Sequence, residues 1–241
     1  MTKPAGATDL IAFFPAAGAG GSTLEQLEGL AARRGMACVA MSNPASVDAL
    51  LSGEWQAESI EEIRRAVDHE SAGRVILAGH CMGGLSAVRL VDGLGSRLAL
   101  PVRVLALNTP CPDSSGRTPT MSQFSDAEIA EVLARDGFPQ ELLDDEDMLA
   151  EIAAGLRQDA AVADRLAEWV NSTDDLDTLH VLSTRGDRFS PPEQCAAWRH
   201  RVSGEFHLTI AAGGHSLDEA TTGVLERAVD SVLACMQAEP A

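Results

Sequence analysis

The chain has 241 residues, with 18 Lys and Arg against 36 Asp and Glu, a formal net charge of −18 and a pI near 4.6. Hydrophobic residues make up 45% and charged residues 22%, a globular composition long enough for one large domain, or one domain with an insertion. The acidic excess, with no Lys/Arg cluster to offset it, argues against nucleic acid as a ligand, because phosphate binding depends on cationic groups that release counterions.

The first apolar run, 10–14 (LIAFF), reads as a core strand. With Lys3 ahead of it the run imitates a signal peptide, but it is short and broken by Pro15. Ser22 with Glu25 forms a capping-box pattern opening a helix with Leu24, Leu27 and Ala31 on one face. A second strand, 36–41, is followed by a helix that Ser59 and Glu62 open, carrying Ile60, Ile63 and Val67. Strands 74–79 (RVILAG) and 102–107 (VRVLAL) come next.

From about 112 to 175 only helical patterns occur: Ser125 with Glu128 ahead of Ile129, Val132 and Leu133, then Leu149, Ile152 and Leu156. Residues 125–147 hold nine Asp/Glu against a single Arg, which fits either a solvated helical face or a helical lid over a pocket at the strand ends. Strand 179–184 precedes a helix start at Ser190, Pro191 and Glu193, with Ser190 as N-cap. After strand 205–211, Ser216 with Glu219 opens a last helix with an apolar stripe of Leu217, Val224, Leu225, Val229, Val232 and Leu233. Strands apolar on consecutive residues and alternating with helices predict a doubly wound α/β fold, mostly parallel, in one domain over 1–241 with the lid at 112–175.

Five Cys (38, 81, 111, 195 and 235) form no C-x-x-C pair, and six His show no tight ligand spacing. The pattern reads against a disulfide framework or a metal site and for a reducing cytoplasm. No apolar stretch approaches the ~18 residues a membrane helix needs, so no membrane association is expected.

The sharpest motif is Gly79-His80-Cys81-Met82-Gly83, directly after a strand and before a helical pattern. It is a G-x-S-x-G nucleophile elbow with Cys in place of Ser, and the helix dipole behind it favours the thiolate. The competing reading is a small buried Cys in a glycine-rich turn. An elbow needs an acid and a His later in the chain. His215, in Gly213-Gly214-His215, and Asp187, in Arg185-Gly186-Asp187, follow the last two strands, where open α/β sheets place their ligands. Asp113, after strand 102–107, is the alternative acid; chain order and loop position favour Asp187. For His69, His80, His180, His200 and His207 a packed or solvated side chain is expected. Oxyanion donors are expected from the amide of Met82 and from Ala16 or Ala17 in the first loop. A dinucleotide loop at Gly18-Ala19-Gly20-Gly21 is rejected, because the spacing is not G-x-G-x-x-G and Met41-Ser42-Asn43 lacks the ribose-binding acid.

With Phe13-Phe14-Pro15-Ala16-Ala17-Gly18, the elbow at 79–83, Gly186-Asp187, Gly-Gly-His at 213–215 and the stretch from Phe124 to Leu143, the sequence resembles the type II (external) thioesterases of nonribosomal-peptide and polyketide assembly lines. The resemblance implies an α/β-hydrolase without a bound cofactor of its own, acting on acyl groups carried as phosphopantetheine thioesters by carrier-protein domains. Because such carriers are commonly acidic, apolar contacts or a less acidic rim are expected to govern docking. Three positions depart from the family: Cys81 where Ser is usual, Ala16 where His is usual, and Ser42-Asn43-Pro44-Ala45-Ser46 in place of a proline-glycine-arginine stretch. Cysteine at the elbow is similar to a subset that looks like aminoacyl transferases, since thioester-for-thioester exchange leaves the acyl group transferable. Three functions are in view: transfer to a second carrier thiol, hydrolysis as an editing thioesterase, and a catalytically silent synthetase-binding protein.

Overall fold

The computed structural model describes residues 7–18, 21–112, 121–135, 138–173 and 175–238. Six strands form one parallel sheet: β1 (Thr8–Phe14), β2 (Ala37–Ala40), β3 (Ala72–His80), β4 (Val102–Leu107), β5 (Leu176–Thr184) and β6 (Val202–Ala211), in the order β2-β1-β3-β4-β5-β6. Each predicted strand is present, with ends shifted by up to three residues. The chain leaves β1 toward one edge through β2 and then returns to β1's other side through β3. That reversal opens a crevice at the carboxyl ends of β1 and β3, the place where such sheets hold ligands.

Successive residues of the inner strands face opposite layers, and both layers are apolar. Leu10, Ala12 and Phe14 of β1 join Val75, Leu77, Val104 and Ala106 on one face. Ile11, Phe13, Ile76, Ala78, Leu105 and Leu107 line the other. The first face is covered by α2 (Val47–Ser52), α3 (Glu54–Glu70), α4 (Met82–Gly95), the later part of α7 (Glu146–Ser172) and α8 (Pro192–Ala196). The second carries α1 (Gly21–Arg34) and α9 (Thr222–Ala238), through Leu27, Leu30, Leu225, Val229 and Val232. At the sheet's amino end Arg74 makes a two-pronged ion pair with Asp9, both bonds 2.8 Å, and donates to the Leu233 carbonyl of α9.

Between β4 and β5 the described elements are helical: a short 3₁₀ turn, α5 (Asp126–Arg135), α6 (Gln140–Leu143) and α7. Ser125 and Glu128 form the predicted reciprocal cap, Glu128 Oε2 accepting from the Ser125 amide at 2.8 Å. The other predicted starts move. Gly53, left-handed at φ 75°, closes α2 and starts α3 at once, so Ser59 lies buried inside α3 rather than at its end. Ser46 is the residue that caps, holding the Ala49 amide of α2. Ser22 falls inside α1, and Pro191 rather than Ser190 is the N-cap of α8. Asp218 caps a 3₁₀ turn with Thr221, which delays α9 to Thr222, six residues past Ser216. Among the described residues no helix is long and apolar enough to cross a membrane.

Candidate active site

The elbow is built by crowding. Cys81 sits between the end of β3 and the start of α4 with φ 54° and ψ −118°, a conformation that is costly for a side-chain-bearing residue. Its amide continues the sheet by donating to the Leu107 carbonyl at 2.9 Å, and its carbonyl accepts from Gly84 at 3.1 Å. A Cβ on Gly79 would lie 2.1 Å from the Gly83 carbonyl oxygen, and one on Gly83 would lie 2.2 Å from that of Phe14. Glycine is therefore required on both sides of the cysteine, and the Gly83 approach brings the start of α4 against the loop leaving β1. Met82 and Ala16, next in sequence to the residues that make this approach, are both buried, and Ala17 is partly exposed.

That first loop is tied down. Asn43, after β2, donates to the Pro15 carbonyl at 2.8 Å and accepts from Ser86 of α4 at 2.8 Å. The stretch that departs from the family pattern thus links the first loop to the helix behind the cysteine. From the other side the Gly18 amide donates to Asp159 of α7 at 2.9 Å, and Ala17 packs on a small cluster of Ile129, Ala153 and Leu156.

The loop after β6 delivers His215, and the loop after β5 delivers Asp187. His215 Nδ1 meets Asp187 Oδ2 at 2.8 Å, while Asp187 Oδ1 accepts from the amides of Phe189 and Ser190 at 2.8 and 2.9 Å. The Asp187 side chain is fully buried. Burial by itself would push the imidazole down, but hydrogen bonds to the Asp187 carboxylate and the Cys81 sulfur outweigh it and raise His215 to about 10. With Nδ1 engaged by Asp187, Nε2 is the nitrogen left to the sulfur. The edge of Phe189 covers the ring at 5.0 Å. Cys81 is partly exposed, whereas burial pushes the Cys38 and Cys195 thiols up to about 12, too high for either to act as a nucleophile near neutrality. The alternative acid Asp113 lies outside the described residues, as do Ala19 and Gly20 of the rejected dinucleotide loop.

Two residues not foreseen as part of the site hold His215 from behind. Asn108, fully buried just past β4 at φ 45°, donates to the His215 carbonyl at 2.7 Å and accepts from the Thr184 amide at 2.9 Å. The signal available was Asn directly after a strand, since Asn tolerates the left-handed region. His80, packed as expected, donates from Nε2 to the same carbonyl at 2.9 Å, with Thr23 Oγ1 3.4 Å from its Nδ1. Desolvation, with the nearby His215, drives His80 down to about 3, so it stays neutral. His69 and His200 are exposed, and His180 and His207 stack on each other far from the elbow.

A strand-borne Cys, a His within reach of it, and a buried carboxylate on that His form an arrangement able to transfer a proton and make a covalent bond. The model of the alpha/beta hydrolase family matches residues 11–227. No curated protein sequence matches the chain. Several solved structures share the architecture. Human thioesterase 2 aligns with a TM-score of 0.69 at 20% identity, over 98% of this chain and 100% of its own. The RedJ thioesterase of the prodiginine pathway in Streptomyces coelicolor gives 0.66 at 22% identity, over 93% and 91%. A type II thioesterase of the yersiniabactin NRPS/PKS pathway gives 0.73 at 19% identity, over 97% and 95%. At these identities the likeness is one of fold. By its parallel sheet, its elbow after β3 and the family match over most of its length, the chain belongs to the alpha/beta hydrolase family.

Proposed function

We propose that the protein transfers an acyl or aminoacyl group from the phosphopantetheine thioester of one carrier-protein domain to the thiol of another, through an acyl-Cys81 intermediate. The observation that carries this reading is the partly exposed Cys81 at a strained strand-to-helix turn, interacting with an imidazole that is itself anchored on buried Asp187. The proton shared by the pair rests on His215, which its raised pKa keeps an imidazolium, while the Cys81 sulfur attacks the thioester carbonyl; the carrier thiol leaves and takes that proton, so the acyl-enzyme holds a neutral imidazole. The Met82 amide, with that of Ala16 or Ala17, donates hydrogen bonds to the developing oxyanion, and Asp187 keeps the imidazole turned toward the sulfur. In the second half the incoming thiol gives its proton to His215 and displaces Cys81. One thioester is exchanged for another of similar energy, so the group remains activated; a serine ester would lie lower and favour release to water. The helices between β4 and β5 act in this scheme as a lid, with Ala17 packed beneath Leu156.

Hydrolysis of the same intermediate is the second reading, favoured by solved structures of similar fold that are thioesterases of biosynthetic pathways. A labelled aminoacyl-carrier thioester is incubated with the protein, intact mass is recorded, and an unloaded carrier is then added. An adduct on Cys81 that persists until the second carrier arrives supports transfer, and spontaneous loss to water supports hydrolysis. Absence of any adduct, together with a Cys81 that resists alkylation, leaves a catalytically silent binder. Cys81→Ser is expected to stall at the ester or release it to water; unchanged transfer in that variant refutes the thiol-exchange argument.

A further inference from the structure

On the α9 side of the sheet, away from the elbow, three chain segments bring together donors that no sequence spacing links. His180 of β5 pairs in register with His207 of β6, their rings stacked 4.4 Å apart, and Cys235 of α9 reaches over them. One donor atom from each of the three lies within 4.8 Å of the others. His207 Nε2 is 3.4 Å from Cys235 Sγ and 3.5 Å from Glu205 Oε2, and the negative charge of Glu205 acts on the Cys235 thiol as well. His180 is 2% exposed, with Nδ1 3.5 Å from the Ser231 hydroxyl and a buried Nε2 that has no hydrogen-bond partner.

An orphaned imidazole nitrogen buried beside a thiol is costly unless something accepts its lone pair. If Nδ1–H donates to Ser231, Nε2 is a free ligand, the tautomer arrangement usual for metal-bound histidine. Bonds of 2.0–2.3 Å in a tetrahedral zinc site put donors about 3.3–3.8 Å apart. The His207–Cys235 and His207–Glu205 separations already fall there; His180 has about an ångström to close on His207 and Cys235, and the exposed Glu205 carboxylate, outside that group of three, has to swing in to complete the set. Half-exposed His207 can swing out of the stack to let the lone pairs converge.

We infer that His180, His207, Cys235 and Glu205 bind one divalent cation of the zinc class, stapling α9 to the outer strands β5 and β6. Two nitrogens, a thiolate and a carboxylate suit zinc or cobalt rather than calcium or magnesium, which take oxygen. The two anionic ligands balance the ion's two charges, and binding displaces the Cys235 proton to solvent, one per metal. Arg103, the nearby cation, opposes the ion and sets a limit on affinity. His180 lies four residues back from the end of β5, about 13 Å along the strand, so the ion plays no part at Cys81.

The test is titration of chelator-stripped protein with cobalt(II), followed by displacement with zinc. The expected result is one equivalent bound with a thiolate-to-cobalt charge-transfer band and tetrahedral visible bands, and a melting temperature raised by zinc. Cys235→Ser and His207→Ala, both at partly exposed positions, should weaken binding by more than about 100-fold, since losing even an outer partner of a metal ligand costs 10–100-fold. Cys81→Ala should bind unchanged, which separates this site from the catalytic thiol. No charge-transfer band, a band surviving Cys235→Ser, or a band lost in Cys81→Ala each overturns the assignment.

Discussion

Asn108→Ala tests whether His215 is held by its own loop or from behind. The side chain is fully buried and spans two loops, donating to the His215 carbonyl and accepting from the Thr184 amide and hydroxyl. Alanine at φ 45° costs about 1 kcal/mol where Asn is tolerated. The Thr184 amide loses its acceptor inside the protein, worth about 1–3 kcal/mol, and the lost bond to His215 adds about 1 kcal/mol. The His215 carbonyl keeps His80, and the Thr184 hydroxyl keeps Gly214 at 2.6 Å, so no further group is stranded. The sum is about 3–5 kcal/mol, on the order of 10 °C in a chain of this size. Displacing the imidazole by about 1 Å is expected to slow single-turnover acylation of Cys81 by roughly 100-fold. Asn108→Gly removes the backbone strain without restoring the bonds, so it should recover about 1 kcal/mol over Ala and none of the rate. Urea denaturation and quench-flow mass spectrometry read the two effects separately. An Asn108→Ala protein of wild-type stability and full acylation rate refutes the claim that this residue positions His215.

Asp187→Asn keeps the acceptor for the Phe189 and Ser190 amides but turns an N–H toward His215 Nδ1. The expected result is a folded protein whose Cys81 alkylation and acylation fall on the order of 1,000-fold or more; an unaltered alkylation pH profile would count against the assignment. Gly83→Ala forces a Cβ within 2.2 Å and 2.5 Å of two backbone oxygens, which cannot be relieved by a side-chain rotation. A loss of about 3 kcal/mol or more is expected from calorimetry, and a wild-type melt would show that the elbow can open freely. The two buried histidines predict a stability maximum near pH 6–7. His80, depressed to about 3, binds its proton more readily unfolded than folded, so stability falls as pH drops below 6.5, by about 2 kcal/mol at pH 5. His215, raised to about 10, has the opposite sign: its contribution is complete below 6.5 and is lost as pH rises through 10. Denaturation across this range should show His80→Gln flattening the acid limb and His215→Gln the alkaline limb, and identical limbs in the variants would contradict both assignments.

Local rules made the strands and the elbow readable from the chain. Runs such as LIAFF and RVILAG are apolar on consecutive residues because both faces of an inner strand are covered, and glycines flank Cys81 because neighbouring backbone leaves no room for a Cβ. The triad candidates followed from position alone, each in the loop after a late strand. Helix starts were less legible: a Ser-x-x-Glu pattern occurs inside α3 as readily as at its end, and Gly53 decided where that helix begins. What folding alone decided are contacts between residues far apart in sequence. Asn43 gripping the first loop, Asn108 and His80 sharing the His215 carbonyl, and His180, His207 and Cys235 meeting across β5, β6 and α9 have no spacing to announce them. Periodicity records which face a residue shows to the core, whereas the partner it finds there depends on strand order and register, which emerge only when the whole sheet is assembled.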